Sequence, residues 1–450
     1  MQSFEIDKTD LQRIKTALDG EDAELQSVLK EYHASEIAIL FEKLPQEAKE
    51  RIINILPADI ASEVISEMDE EHHPGELLIN LDPEKRSEIV EELDYDDATD
   101  IISQLEEHEQ QEILEDIDQE DATSIRALLN YDENTAGGLM NPELIKVNIK
   151  LDKKGALDEI IRQSEEMEEF YTIYVVDDSN VLKGVVSIKN IIKAHADVKI
   201  KNLLIADPVY VKADLDQEEV AKLISQYNLT TIPVVDDDMK LLGRITVDDI
   251  IDVMEEESTE DILKISGVSE DEELSGNWQD AVKSRLPWLV INLGTAFLAA
   301  SVIQQFPTVQ VKIPTIMAYA TIVCGMGGNG ATQALAVTVR RISLSDLSDR
   351  QAYRTVLKEF SVGLINGAIN GLIVGIVANF LGLSPLFGLV IVMAMIGNLI
   401  VAGLAGAGIP LLLKRVGIDP AVASSIIITT FTDCAGYFLC LWLATKFLLH

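Results

Sequence analysis

The residue with the clearest chemical potential is Asp433, because it lies in the middle of an otherwise uncharged stretch. It stands 13 residues after Pro420 and 13 residues before Lys446. A carboxylate at the centre of a bilayer costs at least ~2.5 kcal/mol even on insertion scales, so it is expected to face a cavity, a partner or an ion. The alternative is a protonated or helix-capping aspartate.

The side chains around Asp433 favour a polar path through the membrane. On a helix, the positions three and four residues away hold small or polar side chains: Thr429, Thr430, Gly436 and Tyr437. Residues 325–333, with the sequence GMGGNGATQ, place Asn329 and Gln333 among four glycines, which permit close packing or a local break lined by carbonyls. With the amide of Asn398, these groups predict a pore wall with one anionic site. Ordinary packing of small residues without a pore is the alternative.

The available ligands predict a hard cation in such a pore. They are carboxylate, hydroxyl, amide and carbonyl oxygens, whereas the three cysteines and six histidines form no motif for zinc, copper or nickel. Mg2+ gives up its waters reluctantly, so a site of few oxygens suits a hydrated ion. Because each chain has a single such acid, a site at an axis shared by two chains would be stronger.

Charge-free runs predict the elements that position Asp433. Domain 281–450 should contain five membrane-spanning helices, since backbone groups in lipid must be satisfied within each segment. Their predicted bounds are about 286–305, 313–339, 358–382, 386–413 and 420–446. Basic residues cluster at the ends that face the N-terminal half, which places that half in the cytoplasm. The acidic, polar N-terminus does not resemble a cleavable signal peptide.

The charge is divided very unequally along the chain. Residues 281–450 hold 11 basic and 5 acidic side chains, so the net charge of −40 leaves −46 on the first 280 residues. Nucleic-acid binding requires a basic surface, which this half lacks, so nucleic acid is excluded as a partner. Cationic partners are favoured instead.

Residues 1–133 have the pattern of short amphipathic helices in repeats. LPQEAKERIINIL, LDPEKRSEIVEEL and LEEHEQQEILEDI share their apolar spacing. Each helix is too short to bury a core alone, which predicts an all-α superhelical stack. An irregular helical bundle is the alternative.

A second repeat has a period of 59 residues. Val175-Val176-Asp177-Asp178 with LKGVVSIKNII recurs as Val234-Val235-Asp236-Asp237 with LLGRITVDDII, each copy reading strand, turn, strand, helix. The pair, residues 134–197 and 198–256, resembles tandem cystathionine-β-synthase (CBS) domains of α/β fold. The resemblance implies that Gly243, Thr246 and Asp249 hold the ribose of an adenine nucleotide such as ATP, whereas the first copy has Asn190 in place of the acid. A dimerising module without ligand is the alternative.

Residues 248–280 predict a long acidic connecting helix and linker. Asp249, Asp252, Glu256 and Glu260 recur every three or four residues and so share one helix face. Their mutual repulsion is relieved by a divalent cation with oxygen ligands, which favours binding of such a cation on this face. A solvated acidic face is the alternative.

The complete order of parts resembles the MgtE family of bacterial magnesium channels. The motifs that carry the resemblance are GMGGNGATQ, Asp419-Pro420-Ala421 and Thr430-x-x-Asp433-x-x-Gly436. The resemblance implies a homodimer in the cell membrane, with Asp433 selecting the ion and Asp419, Thr430 and Asn329 lining the pore. It also implies a connecting helix that plugs the pore and a cytoplasmic Mg2+ sensor. The implied sensor acids are Asp96, Asp97, Asp100, Glu218, Asp249, Asp252, Glu257, Glu260 and Asp261.

Function is therefore expected to be Mg2+ transport gated by intracellular Mg2+, with membrane lipid and divalent cations as partners. The competing hypotheses are a CBS-regulated transporter for another divalent cation, Co2+ or Mn2+, and an adenine-nucleotide sensor controlling another membrane process. An enzyme is not expected, because the predicted spans contain no paired acids, nucleophile-base set or metal-ligand spacing.

Overall fold

The computed structural model describes residues 8–41, 43–69, 72–164, 170, 172–195, 197–269, 272, 277–344, 348–422 and 425–449. The chain divides into two compact units, Met1–Met254 and Glu255–His450. The first contains an all-helical part and two α/β repeats, and the second contains the long apolar helices.

The described part of the all-helical region consists of ten short helices stacked in two rows. They are α1 (Lys8–Leu18), α2 (Asp22–Leu29), α3 (Ala34–Phe41), α4 (Gln46–Ile55), α5 (Ala58–Ser66), α6 (Pro74–Ile79), α7 (Pro83–Glu91), α8 (Tyr95–Ser103), α9 (Glu107–Asp116) and α10 (Gln119–Leu128). Helices two apart in the chain contact one another, as α4 contacts α6 and α5 contacts α7. This pattern is the predicted superhelical stack.

Local sequence explains why these helices are short. Asp82 accepts a hydrogen bond from the backbone N–H of Glu84 and, with Pro83, starts α7. Glu106 and Glu109 form a capping box at the start of α9. Since each helix has only two or three turns, it buries a narrow apolar stripe and depends on its neighbours for a core.

The two α/β repeats have the same strand pairing, offset by 59 residues. The elements are β1 (Lys146–Asn148), α11 (Lys153–Gln163), β2 (Thr172–Val176), β3 (Leu182–Ser187), α12 (Ile188–Lys193), β4 (Ile205–Ala206), β5 (Val211–Lys212), α13 (Gln217–Tyr227), β6 (Thr231–Val235), β7 (Leu241–Thr246) and α14 (Val247–Ser266). β1 pairs in parallel with β2 and β5 with β6, whereas β2 with β3 and β6 with β7 are antiparallel. The bulge after Val175 recurs after Val234.

The turns between the paired strands are also duplicated, and they join the repeats. Asp177 and Asp236 each accept two backbone N–H groups of their own turn. Asn180 and Met239 both have φ of 62°, and each carbonyl accepts from the other repeat. This reciprocal pairing makes the two copies one body.

After the last turns of α14, the described part of the second unit contains five long helices and one short one. They are α15 (Trp278–Gln304), α16 (Pro307–Lys312), α17 (Thr315–Leu344), α18 (Asp349–Phe380), α19 (Pro385–Arg415) and α20 (Ser425–Phe447). Among the described residues, α15, α18, α19 and α20 are long and apolar enough to cross a membrane. α17 is 30 residues long but is not among these four, because Gly, Thr, Asn and Gln occupy much of its middle.

Two local features of this unit differ from the sequence prediction. The fifth predicted span begins at Ser425 instead of Pro420, because Pro420–Val422 forms a separate 3-10 turn. The glycine-rich segment does not break α17, which continues from Thr315 to Leu344. Its glycines therefore serve close helix packing, which was one of the two options that the sequence allowed.

Candidate metal sites in the two units

Carboxylates of α8 lie against the second α/β repeat in the first unit. Asn141 donates from Nδ2 to Oδ1 of Asp96 over 3.0 Å. Burial raises the pKa of Asp96 well above its usual range, and the nearby charges of Asp249, Asp97 and Asp94 add to this effect. Sequence reasoning placed Asp96 and Asp249 in one sensor only through the family resemblance, and the fold brings them together.

Asp97 belongs to the same group of acids. Burial, followed by the negative charges of Asp94, Asp249 and Glu67, raises the pKa of Asp97 to about 7. At neutral pH this carboxyl is therefore divided between its protonated and charged forms. A cation that stabilises the charged form would displace the proton.

The geometry favours a hydrated ion over a fully coordinated one. Among the described residues, no group of three or more His, Cys, Asp and Glu side chains is arranged to hold a metal directly. Nevertheless the charge of Asp249 lies close enough to raise the pKa of both Asp96 and Asp97. Carboxylates that sense each other without converging on one point suit an ion that keeps most of its waters, as Mg2+ does.

Asp249 also has a structural role at the start of α14. Its Oδ2 accepts from the backbone N–H of Thr246 over 3.0 Å and from the Thr246 hydroxyl over 2.6 Å. These bonds oppose the effect of burial, which raises the pKa of Asp249. Gly243 is required by packing, since a Cβ there would lie 2.7 Å from the carbonyl oxygen of Asn141. The three residues predicted to hold a ribose therefore also stabilise the repeat itself.

The other predicted sensor acids are distributed over both units. Asp100 lies on α8 and Asp252 on α14, while Glu218 on α13 forms an ion pair with Lys222 over 3.1 Å. Glu257, Glu260 and Asp261 belong to the second unit. The first unit thus brings together part of the predicted set, centred on Asp96, Asp97 and Asp249.

Within the second unit, the last turns of α14 bind the membrane helices through Lys264. This lysine forms ion pairs with Glu260 and, over 3.0 Å, with Asp419. Ser343 of α17 donates to Asp261 over 3.2 Å. Sequence reasoning did not single out Lys264, although a lone lysine near the end of a strongly acidic helix was a visible signal.

Three residues predicted to line the pore have different environments. Asp419 is exposed, accepts from the backbone N–H of Ala421 and pairs with Lys264, so its carboxylate is already engaged. The hydroxyl of Thr430 donates to the carbonyl of Ile426 over 2.6 Å, within its own helix. Asn329 is exposed on α17.

Asp433 lies in α20 next to a tight three-helix contact. Its carbonyl accepts from Sγ of Cys324 on α17 over 3.6 Å. Asn398 of α19 is fully buried, and a Cβ on Gly327 of α17 or Gly436 of α20 would lie 2.1 or 2.8 Å from its Nδ2. These glycines therefore let α17, α19 and α20 meet beside a half-buried carboxylate.

Comparison with known proteins gives the same order of parts. Residues 32–134 match the MgtE intracellular N domain, residues 136–197 and 200–256 match CBS domains, and residues 320–443 match MgtE, a divalent cation transporter. The chain is 33% identical over 424 residues to the magnesium transporter MgtE of Thermus thermophilus, covering 93% of this chain and 94% of the relative. It is 36% identical to the magnesium transporter MgtE of Enterococcus faecalis, covering 72% of this chain and 71% of the relative.

Among solved structures, the cytosolic domain of the Mg2+ channel MgtE in complex with ATP superposes with a TM-score of 0.51 and 34% identity. The match covers 54% of this chain and 99% of the solved one. The predicted multidomain fold is thereby confirmed for its N domain and CBS repeats. Because the relative from Thermus thermophilus is 33% identical over 93% of the chain, we conclude that the chain belongs to the MgtE transporter family.

Proposed function

We propose that this protein conducts Mg2+ across the cell membrane as a homodimer, with Asp433 as the ion-selecting acid. The observation that carries the proposal is the placement of Asp433, a half-buried carboxylate midway along an apolar helix beside glycine-mediated helix contacts. An unpaired acid at this depth is stabilised by a polar path and a cation. Two relatives that match most of this chain are named magnesium transporters.

The direction of insertion follows from the basic residues. Nine basic residues flank the apolar helices on one side, and two flank them on the other. The nine are Lys283, Arg285, Arg340, Arg341, Arg350, Arg354, Lys358, Lys414 and Arg415, and the two are Lys312 and Lys446. The first side is also the side from which the N-terminal unit continues. The positive-inside rule then assigns the N domain and the CBS repeats to the cytoplasm.

Intracellular Mg2+ controls the pore through the carboxylates of the first unit. When Mg2+ is plentiful, the ion bridges Asp96, Asp97 and Asp249 and holds a compact, closed form. When it is scarce, repulsion among these acids separates the parts and the pore opens. This is a population shift driven by an ion that binds one form better than the other. Transport, and not catalysis, is the activity we assign.

The test of conduction is Mg2+ flux into proteoliposomes with Asp433→Asn. We expect a loss of flux of at least about a hundredfold, because the amide removes the charge that offsets ion dehydration. The control is Asp349→Asn, the same chemical change on the exposed first residue of α18, whose carboxylate is 86% accessible. Undiminished flux in Asp433→Asn with a normal control would remove Asp433 from the central role.

Adenine-nucleotide binding at the second CBS repeat is the second candidate function. A solved cytosolic domain of a Mg2+ channel at 34% identity carries ATP. In the described part of this chain, Nε of Arg244 is buried without a hydrogen-bond partner, next to Gly243 and close to Asp249 in sequence. Such an unsatisfied cationic group suits a ligand that brings acceptor oxygens.

Calorimetric titration of the full chain with ATP tests this second function. Asp249→Asn should weaken binding by about tenfold or more, as expected for loss of a charge-assisted hydrogen bond to a ribose hydroxyl. Asp238→Asn, an exposed acid of the same repeat, is the matched control. Equal ATP binding by both variants would argue against a ribose contact at Asp249.

A further inference from the structure

A cavity with both polar and apolar lining residues lies between α17, α18 and α19 in the membrane unit. Its volume is about 220 Å³, and its wall includes Gln333, Lys358, Glu359 and Asn366. Six waters at ~30 Å³ each occupy roughly 180 Å³, so the cavity has room for a cation with its first water shell. Gln333 was predicted to belong to the pore wall, whereas Lys358, Glu359 and Asn366 were assigned neither to the pore nor to the sensor.

Glu359 is the unusual residue of this wall. Its side chain is only 8% exposed, although it lies one residue inside the apolar part of α18. A buried carboxylate is destabilising unless a cation or several donors compensate it. Within the described residues its ion pair is with Lys358, over 3.3 Å, and that lysine is 58% exposed on the adjacent position of the helix.

The remaining polar groups extend the cavity from the membrane interface towards its interior. Arg340 lies near the C-terminal end of α17. Gln333 lies seven residues before it, which is about 10 Å along a helix. Asn366 lies seven residues beyond Glu359, at a similar depth on α18. A carboxylate and two amides thus line one continuous crevice.

The chemistry of this wall selects its ligand. The carboxylate repels anions, and the two amides add neutral oxygen ligands without any thiolate or imidazole in the wall. Oxygen ligands with one negative charge suit a hard divalent cation that retains water. The ammonium group of Lys358 already stands where a cation would lie, and its exposed position allows it to withdraw to solvent.

We propose that this cavity is a second cation-binding site, in which Glu359 holds a hydrated Mg2+ that competes with the ammonium group of Lys358. The inference rests on the proposed function for the identity of the ion. Lys358 and Glu359 lie on α18 close to Arg354, at the end of the membrane unit that also carries Arg340 and Arg341, so the site would hold ions at the cytoplasmic end of the membrane domain.

Protection of a thiol in the cavity wall tests the proposal. Val362→Cys in the full chain, in lipid nanodiscs, is modified with a small water-soluble methanethiosulfonate, and the rate in wild type measures the background from native cysteines. Mg2+ should slow modification at least about fivefold, since a bound hydrated ion fills most of the cavity. In the Val362→Cys, Glu359→Gln double variant this protection should vanish.

The outcomes separate binding at the cavity from other effects of Mg2+. Protection that persists with Glu359→Gln would come from the cytoplasmic sensor and would overturn the proposal, as would a thiol that is never modified, because a hydrated ion could not enter. Lys358→Gln should give protection at several-fold lower Mg2+, since the competing charge is gone. An unchanged Mg2+ dependence in Lys358→Gln would also overturn the proposal. This measurement can be made even if Glu359→Gln does not fold.

This assay is independent of conduction. If Asp433→Asn abolishes flux but protection does not depend on Glu359, the cavity proposal fails and the proposed function stands. If Asp433→Asn conducts normally and protection does depend on Glu359, the cavity proposal stands and the proposed role of Asp433 fails.

Discussion

The two ends of α14 carry the same kind of side chain in opposite electrostatic surroundings. In the first unit, Asp249 at the beginning of the helix lies near Asp96 and Asp97, and burial together with the charges of neighbouring acids raises the pKa of each of the three. In the second unit, Glu260 near the end of the helix is paired with Lys264. Whether a carboxylate of α14 is repelled by other acids or paired with a cation thus depends on its neighbours.

This contrast indicates where an added cation has the largest effect. At the end of α14, Lys264 already supplies a positive charge to Glu260 and Asp419, so a divalent ion would have to displace it. At the beginning, no lysine or arginine among the described residues forms an ion pair with Asp96, Asp97 or Asp249, and a cation removes repulsion directly. We therefore expect Mg2+ to act first on the acids around Asp97, while Lys264 stabilises the closed arrangement within the membrane unit.

The largest expected effect comes from neutralising the acids that repel one another at the beginning of α14. With Asp96→Asn and Asp97→Asn together, the full chain should resist protease without Mg2+, because repulsion no longer opens the first unit. In wild type, cleavage without Mg2+ should be about tenfold faster than cleavage with Mg2+. In the double variant the two rates should be nearly equal. Asp59→Asn, an exposed acid of the same region, is the control. A double variant that still needs Mg2+ for protection would contradict the contrast.

The next effect is a pH dependence set by Asp97. Its folded-state pKa of about 7 exceeds the ordinary 3.8, so the folded unit holds a proton that the unfolded chain has lost. The free energy of unfolding should therefore fall as pH rises from about 4 to about 7, in the absence of Mg2+. Because Mg2+ competes with that proton, the Mg2+ midpoint for protease protection should fall about fivefold between pH 6 and 7 and level off above pH 8. Asp97→Asn should flatten this dependence.

A smaller effect is expected from Lys264→Gln. Loss of the ion pairs with Glu260 and Asp419 should favour the open form and raise Mg2+ flux at high intracellular Mg2+ by only a few-fold, since ion pairs of partly exposed groups contribute about 0 to 1 kcal/mol. Proteoliposome flux at saturating Mg2+ measures this. Lys446→Gln, at the opposite end of the membrane helices, is the control, and lower flux in Lys264→Gln would show that Lys264 does not hold the closed form.

The smallest effect concerns Thr246, whose hydroxyl donates to Asp249 over 2.6 Å. Thr246→Val removes one hydrogen bond at the start of α14 and should lower the free energy of unfolding of the first unit by about 1 kcal/mol. Chemical denaturation followed by circular dichroism of the full chain measures it. Thr123→Val, on the exposed face of α10, gives the matched change without a carboxylate partner.

The helices and strands could be predicted from the sequence wherever a pattern was local and repeated. The 59-residue repeat placed β2 and β6, and the shared Val-Val-Asp-Asp run fixed where both turns fall. Charge-free runs located the long membrane helices for the same reason, since lipid imposes a requirement on each segment separately. α17 was likewise predicted as a span, at 313–339, although it is less apolar than the other four because Gly, Thr, Asn and Gln occupy much of its middle.

The candidate sites were accessible only in part, because their partners are far apart in sequence. Asp433 stood out as a lone acid in an apolar run, and Glu359 carried a similar signal at the edge of one. By contrast, the contact of Asp419 with Lys264, 155 residues earlier in the chain, was not predicted. The contact of Asn398 with Gly327 and Gly436 likewise depends on three helices meeting.

The sequence by itself determined the order of domains, the repeat, the apolar helices and the strong division of charge, because each is a property of neighbouring residues. Only the tertiary structure decided which of the many acids oppose one another, which are paired and which line a cavity. The physical reason is that the energy of a carboxylate depends on the charges, donors and solvent within a few ångströms of it. Folding sets those surroundings by joining α8 to the second repeat, and α17, α18 and α19 to one another.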